Sequence, residues 1–419
     1  MKVLHLSTSD LDGGAARAAY RLHQGMLEVG TDSQMLVRAK LSEDEAVVGN
    51  KTTIARVGSK LDGLPLKRYP QRKPTPFSTE WFPDSVVARV KQLDPDVVNL
   101  HWVCNGFLQI ESLPRFNKPI VWTLHDMWPF TGGCHYAQEC DRYLESCGKC
   151  PQLNSQSQID LSYKILHRKL KAWQGIDLTL VTPSQWLGDC VRASRLFRQS
   201  RVEVIPNGIE TERYRPIDKK KARAALNLPQ DKRLVLFGVG SRSGDPRKGF
   251  QYLLSALQQL DESQWKDRLE LVVFGRAEGN DLPIAFKTHF LGRLEGDEAL
   301  ASAYSAADLF VAPSVQDNLP NTIVEALSCG TPCAAFSIGG MPDMIVHRQN
   351  GYLAQPFDVQ DLAQGIVWAI ESDKRHEQLC HDARRYALGN FELRAQARQY
   401  INLYEDLLSK NSKLSGLLV

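Results

Sequence analysis

Residues 313–340, PSVQDNLPNTIVEALSCGTPCAAFSIGG, carry two acids eight positions apart, Asp317 and Glu325, with a Pro-Asn-Thr turn between them. The run before them, AADLFVAP (306–313), reads as a buried strand ended by proline. From Thr322 an apolar helical pattern extends to Leu327 and stops near Cys329-Gly330, because glycine suits the position after a last helical turn. A strand, a short polar loop and a helix N-terminus together make a cradle for anions and hydroxyls. The loop Asn318-Leu319-Pro320-Asn321-Thr322 is expected to leave backbone N–H groups free to bind. One carboxylate stands before them and another a helical turn beyond. That arrangement suits a ligand carrying both phosphate and sugar hydroxyls.

Outward from this stretch, short apolar runs alternate with helical-period segments from end to end, the pattern of parallel α/β domains. Strands are expected at 2–7, 33–37, 97–101, 119–125, 178–183 and 202–206, and again at 233–239, 269–274, 288–291, 309–312 and 332–336. A helix over 15–29 puts Ala15, Ala19, Leu22, Met26 and Leu27 on one face. A chain of 419 residues exceeds one ordinary domain. The segment 205–226, with its Asn-Gly turn, two prolines and charged run, marks a junction. Domains are therefore expected at 1–205 and 206–392, the same architecture twice. A final helix over 393–419 has Tyr400 and Tyr404 placed to pack on another surface.

Composition excludes some classes. The chain is 43% hydrophobic and 24% charged, with a formal net charge of +3, ordinary for a soluble protein and too mild to argue for nucleic acid. No run approaches the ~20 apolar residues that span a bilayer. The opening MKVLHLSTSD reads as a first strand and not as a signal peptide, so a cytoplasmic setting is expected. Residues 51–79 carry seven basic residues against one acid, Asp62. They read as a solvated loop, or as a surface loop attracted to anionic lipid or to a diphosphate-bearing acceptor.

In doubly wound sheets, ligands bind beyond the carboxyl ends of the strands. After the first strand, Asp10-Leu-Asp12-Gly13-Gly14 lets backbone approach a ligand, without the spacing of a dinucleotide fingerprint. His101 and His125 end two strands, and Asp126 follows the second, either orienting His125 or capping the loop. In the second half Arg242, Arg247 and Lys248 precede a helix, where cations suit a diphosphate leaving group. Cys134, Cys140, Cys147 and Cys150, within 131–151, could close a tetrahedral zinc site that staples the loop. Two disulfides, or four free thiols, are the alternatives.

The acid pair, the glycine loop, His125, Pro206-Asn207-Gly208, Lys248 and the SIGG stretch resemble, in order and spacing, the family-4 retaining glycosyltransferases. WTLHDMWPFTGGC with the trailing CGKCPQL further resembles a colanic-acid-type exopolysaccharide subgroup. The resemblance implies a GT-B fold, two Rossmann-like domains facing across a cleft, with the last helix returning to the first. The first domain would bind the acceptor and the second a nucleoside-diphosphate sugar. It implies hexose transfer with retention, to a saccharide acceptor commonly carried on lipid at the inner membrane face.

By the same resemblance, Gly13 and Gly14 face the donor diphosphate and the acceptor, and His125 the donor sugar. Glu325 binds the ribose, Asp317 lies near the sugar hydroxyls, and Phe274-Gly275-Arg276 lies beside the base. No metal is implied for catalysis, and the DxD string at 94–96 precedes a strand, at the wrong end for a site. Two departures stand out. Asp317 replaces the usual Glu, and SRSGDP interrupts the basic loop, which carries Lys248 over but leaves Arg242 and Arg247 as alternatives. A nucleotide-sugar epimerase or hydrolase, or a silent sugar-nucleotide binder, are the rival readings on this fold.

Overall fold

The computed structural model describes residues 1–239, 246–261, 264–275 and 286–416, with side chains as far as 410. It divides into two units, Met1–Gly208 with Leu393–Val419, and Ile209–Glu392.

The first unit has strands β1 (Lys2–Ser9), β2 (Asp32–Ala39), β3 (Val47–Gly49), β4 (Val97–Leu100), β5 (Ile120–Thr123), β6 (Leu178–Thr182) and β7 (Arg201–Val204). All pair in parallel, in the order β3-β2-β1-β4-β5-β6-β7. Its helices include α1 (Gly14–Glu28), α2 (Thr53–Leu61), α3 (Val86–Leu93), α4 (Leu161–Ala172) and α5 (Gln185–Ala193). The central strands are buried on both faces, which is why they read as near-continuous apolar runs.

The second unit opens with α6 (Lys219–Ala225), β8 (Arg233–Val239), α7 (Phe250–Asp261), β9 (Leu269–Gly275), β10 (Thr288–Gly292) and α8 (Asp297–Ala306). It continues with β11 (Leu309–Ala312), α9 (Asn321–Ser328), β12 (Cys333–Phe336), β13 (Gly351–Ala354), α10 (Val359–Ile370) and α11 (Asp373–Asn390). These strands form a second parallel sheet, β10-β9-β8-β11-β12-β13.

The last helix, α12 (Leu393–Gly416), belongs to the first unit. Ala397, Tyr400, Leu403, Tyr404 and Leu407 form a helical stripe buried against Val3, Leu22, Met26, Val97 and Val121. Each tyrosine body fills the core while its hydroxyl finds a partner: Asn99 Nδ2 donates to Tyr404 Oη at 2.8 Å, and Tyr400 Oη lies 3.1 Å from Thr123 Oγ1.

Two short strands escape sequence reading. β3 has three residues, and β13 is GYLA, too brief for alternation to show. The basic run also differs from the expected loop. Thr52 caps α2 by accepting from Ala55 N–H at 3.2 Å, and Gly58 and Ala55 bury one face of that helix.

Candidate functional site

In the second unit β8 is the first strand in chain order, with β9 and β10 on one side and β11 to β13 on the other. Chain order reverses between β8 and β11, where open α/β sheets bind ligands beyond the strand ends. Lys248 lies in the connection after β8 and Asp317 in the connection after β11. Lys248 Nζ donates to Asp317 Oδ2 at 2.6 Å. A backbone approach permits this contact. Gly249 sits at φ +66°, and a Cβ there would stand 1.8 Å from Pro313 O. Beside it Val315 N–H donates to Arg247 O at 2.7 Å. Burial would raise the Asp317 carboxyl, but the Lys248 ammonium, with help from Arg247, holds it below the usual range. Asp317 is therefore an anion with a cation attached. Arg242 lies outside the described residues.

The loop after Asp317 is less open than its sequence suggests. Asn318 N–H donates to Asp317 Oδ1 at 3.0 Å, so that amide is not free: the short Asp side chain closes back on its own neighbour. Leu319 is 5% exposed and joins the core that holds Ile323 and Tyr304. Pro320 precedes α9 with no side-chain cap, and Asn321 and Thr322 are half-buried on the first turn. Gly340, from the SIGG stretch, donates its N–H to Asp317 O at 3.2 Å.

Glu325 is buried one turn into α9 and accepts a hydrogen bond from Tyr304 Oη, 3.0 Å away. Burial, with the Glu325 carboxylate alongside, pushes the Tyr304 phenol well above its ordinary range, so it stays a donor. The Phe274 ring stands edge-on to Tyr304, centroids 5.8 Å apart, and Gly275 closes β9 beside it. Phe274 is thus a core ring supporting Tyr304. Sequence reasoning passed over Tyr304, although a large phenol among the alanines of α8 is a signal, since a buried hydroxyl needs a partner.

In the first unit the chain order reverses between β1 and β4. Gly13 caps α1 at φ 95°, with open space where a Cβ would stand, and Gly14 begins the helix. Asp10, fully buried, accepts from the amides of Leu41 and Ser42 and so fixes the loop. His125 is half-buried, and burial lowers its pKa to about 4. Its Nε2 lies 3.1 Å from His101 Nδ1, which brings the two strand-end histidines into direct contact. Asp126 takes the capping role: its Oδ1 accepts from Trp128 N–H at 2.9 Å, and its Oδ2 pairs with His135 Nδ1 at 2.6 Å.

The four loop cysteines are free thiols. Burial, together with neighbouring thiols, raises Cys134, and burial pushes Cys147 up to about 12. Among the described residues no three His, Cys, Asp or Glu side chains converge as a group that could hold a metal ion. Hydrogen bonds tie the loop: Cys150 N–H donates to Asp160 Oδ2 at 2.8 Å, and Gly148 N–H to Ser162 Oγ at 3.0 Å.

Comparison with known proteins agrees with this layout. The model of the family described as Glycosyltransferase Family 4 matches residues 12–213, and that of Glycosyl transferases group 1 matches 218–387. A D-inositol 3-phosphate glycosyltransferase of Thermobispora bispora is 31% identical over 75% of this chain and 71% of its own length. The Escherichia coli (strain K12) protein named colanic acid biosynthesis glycosyl transferase WcaC is 26% identical, over 97% of this chain and all of its own. Among solved structures, Anabaena HepE in complex with UDP and glucose superposes with a TM-score of 0.65 at 19% identity, over 97% of this chain and 99% of that one. With two parallel α/β sheets, paired acids on the second and both family models matched in turn, the chain belongs to the group 1 glycosyltransferases and has their GT-B fold.

Proposed function

We propose that the protein transfers a hexose from a nucleoside-diphosphate sugar to a saccharide hydroxyl, with retention at the anomeric carbon, in surface-polysaccharide biosynthesis. The contact between Lys248 and Asp317 at the β8/β11 reversal carries this reading, with Glu325 on the helix that follows. Lys248, with Arg247 or Arg242, stabilises the charge that develops on the departing diphosphate. The α9 N-terminus adds its dipole. Glu325, held by Tyr304, accepts from the ribose hydroxyls, and Asp317 faces the hexose.

No carboxylate is assigned as a nucleophile. The leaving diphosphate itself helps to deprotonate the acceptor in a front-face displacement. The likeness to the family supports Gly13 and Gly14 as contacts of the diphosphate and His125 as a contact of the sugar. HepE's complexes with UDP and with UDP-glucose favour a uridine nucleotide, and the likeness to WcaC favours an exopolysaccharide product.

A lipid-linked acceptor fits the surface of the first unit. On and after α2, Ile54 (44% exposed), Val57 and Leu64 stand in the open among Lys51, Arg56, Lys60, Lys67 and Arg68. Exposed aliphatic groups ringed by cations suit an anionic membrane face. Among the described residues no helix is long and apolar enough to cross a membrane.

The test is incubation with UDP-, GDP- and ADP-sugars while nucleotide release is followed with and without a saccharide acceptor. Acceptor-dependent release is expected. Donor consumption without acceptor would point to an epimerase or hydrolase, and binding without turnover to a silent binder. Flotation with anionic vesicles, against none with zwitterionic ones, checks the membrane contact.

A further inference from the structure

His125 has a place in the proposed reaction, but three buried imidazoles near it have none: His101, His5 and His23. His5 lies within β1, His101 directly follows β4, and His125 lies two residues after β5. These three strands are neighbours in the sheet. His5 Nδ1 stands 2.9 Å from His101 Nε2, and His101 Nδ1 stands 3.1 Å from His125 Nε2. The rings are stacked, with centroids 5.2 and 5.4 Å apart. Beyond His5 the His23 ring is edge-on at 6.1 Å, its Nδ1 2.7 Å from Ser33 Oγ and its Nε2 3.4 Å from Asp44 Oδ2.

Burial holds His5, His101 and His125 all below the ordinary imidazole range, so each is neutral and carries one proton. In such a chain each imidazole donates through one nitrogen and accepts through the other. Two directions satisfy both contacts. If His125 donates from Nε2, the proton of His5 must sit on Nε2. Among the described residues no group bonds to that nitrogen, which is fully buried. The reverse direction leaves only a lone pair there, and an orphaned buried N–H is the rarer state.

We propose that His101 and His5 are positioning residues that fix His125 as its Nδ1–H tautomer, with the Nε2 lone pair taken by His101. His125 then serves the donor sugar as an N–H donor and has no free Nε2 to act as a base. The ligand of His125 rests on the proposed function; its tautomer does not.

Two substitutions separate this from simple packing. The amide of Asn reaches the place of the Nδ1 of His101 and keeps the donor to His125. The amide of Gln reaches the place of Nε2, keeps the contact to His5, and fills more of the space. The experiment records two-bond 1H–15N correlations on full-length protein labelled at histidine, at neutral pH, with no nucleotide sugar present. In the wild type His125 is expected as Nδ1–H. His101→Asn keeps that pattern, and His101→Gln moves His125 toward Nε2–H. Turnover with the donor found active should fall about tenfold further in His101→Gln than in His101→Asn, the worth of one hydrogen bond. An Nε2–H signal for His125 in the wild type overturns the proposal, and so does better turnover by the better-filling Gln. A protein that turns over no sugar nucleotide yet shows the Nδ1–H pattern would refute the proposed function and leave the tautomer assigned.

Discussion

Lys248 Nζ stands 2.6 Å from Asp317 Oδ2, so the acid that the sequence places before α9 and the cation that it places before α7 form one ion pair. They are 69 positions apart in the chain. An entering diphosphate would find Lys248 already fixed in direction, although it must share it with Asp317. Lys248→Ala is expected to lower kcat by about 100-fold or more, the usual cost of losing one donor to a developing anion. The donor KM should change much less, because the interaction strengthens as the bond breaks. Steady-state kinetics with the active donor decides. Unchanged kcat would remove Lys248 from the leaving-group role.

Tyr304 bears on the other acid. Tyr304→Phe removes the hydroxyl that donates to Glu325 and leaves the ring contacts with Phe274 and Phe310 in place. Losing a hydrogen bond to a buried charged group costs about 1.5–3 kcal/mol. Weaker nucleoside-diphosphate binding with nearly constant kcat is expected, read by calorimetry and by KM. Unaltered nucleotide affinity would mean that Glu325 needs no help in holding the ribose.

Much of this site was legible from residue order, and some was not, for physical reasons. Asp317, Glu325 and Lys248 announce themselves because charged groups beside apolar strands need an explanation. Tyr304 hides because an aromatic in an alanine-rich helix looks like core, and it is core as well as a hydrogen-bond donor. Of the chain His5-His101-His125, only the two strand-end members could be read from sequence. His5 is an inner residue of β1, and its link to His101 depends on the strand order, which sequence does not reveal. Asp126 was legible as either orienting His125 or capping the loop, and only the loop geometry, with His135 as its partner, decides for the cap. Helix α2 was missed because seven cations within 51–79 mask a short amphipathic turn.

Gly249 and Gly13 both have positive φ, yet substitution should separate them. At Gly249 an added Cβ meets Pro313 O at 1.8 Å, whereas at Gly13 nothing lies within 4 Å. Gly13→Ala should strain the backbone by about 1–3 kcal/mol and, through its proposed place at the donor diphosphate, raise the donor KM. Gly249→Ala must also push apart the loops that carry Lys248 and Val315. A larger stability loss and a fall in turnover near that of Lys248→Ala are expected for it. Denaturant melts paired with kinetics distinguish the two; equal behaviour would show that the close approach is not needed for activity.

Lys169 supplies a pH prediction away from the site. On α4 it is fully buried, donates to Trp128 O and, at 3.0 Å, to Thr131 O, and lies 3.6 Å from the centroid of the Trp128 ring. Burial lowers its pKa to about 7, against an unfolded value of about 10.4. Below pH 7 both states hold the proton, and the cost of burying the charge is fully present. As pH rises through 7, the folded chain sheds the proton while the unfolded chain keeps it, so stability climbs by up to about 1.4 kcal/mol per pH unit. Above roughly 8.5 the opposite contribution enters, because the buried thiols of Cys104, Cys134 and Cys147 stay protonated only in the folded state. A rise in the urea midpoint between pH 7 and 8, followed by tryptophan fluorescence from Trp128 and its neighbours, is therefore expected. Lys169→Met should flatten that rise. A rise of equal slope in the variant would assign the proton to another group.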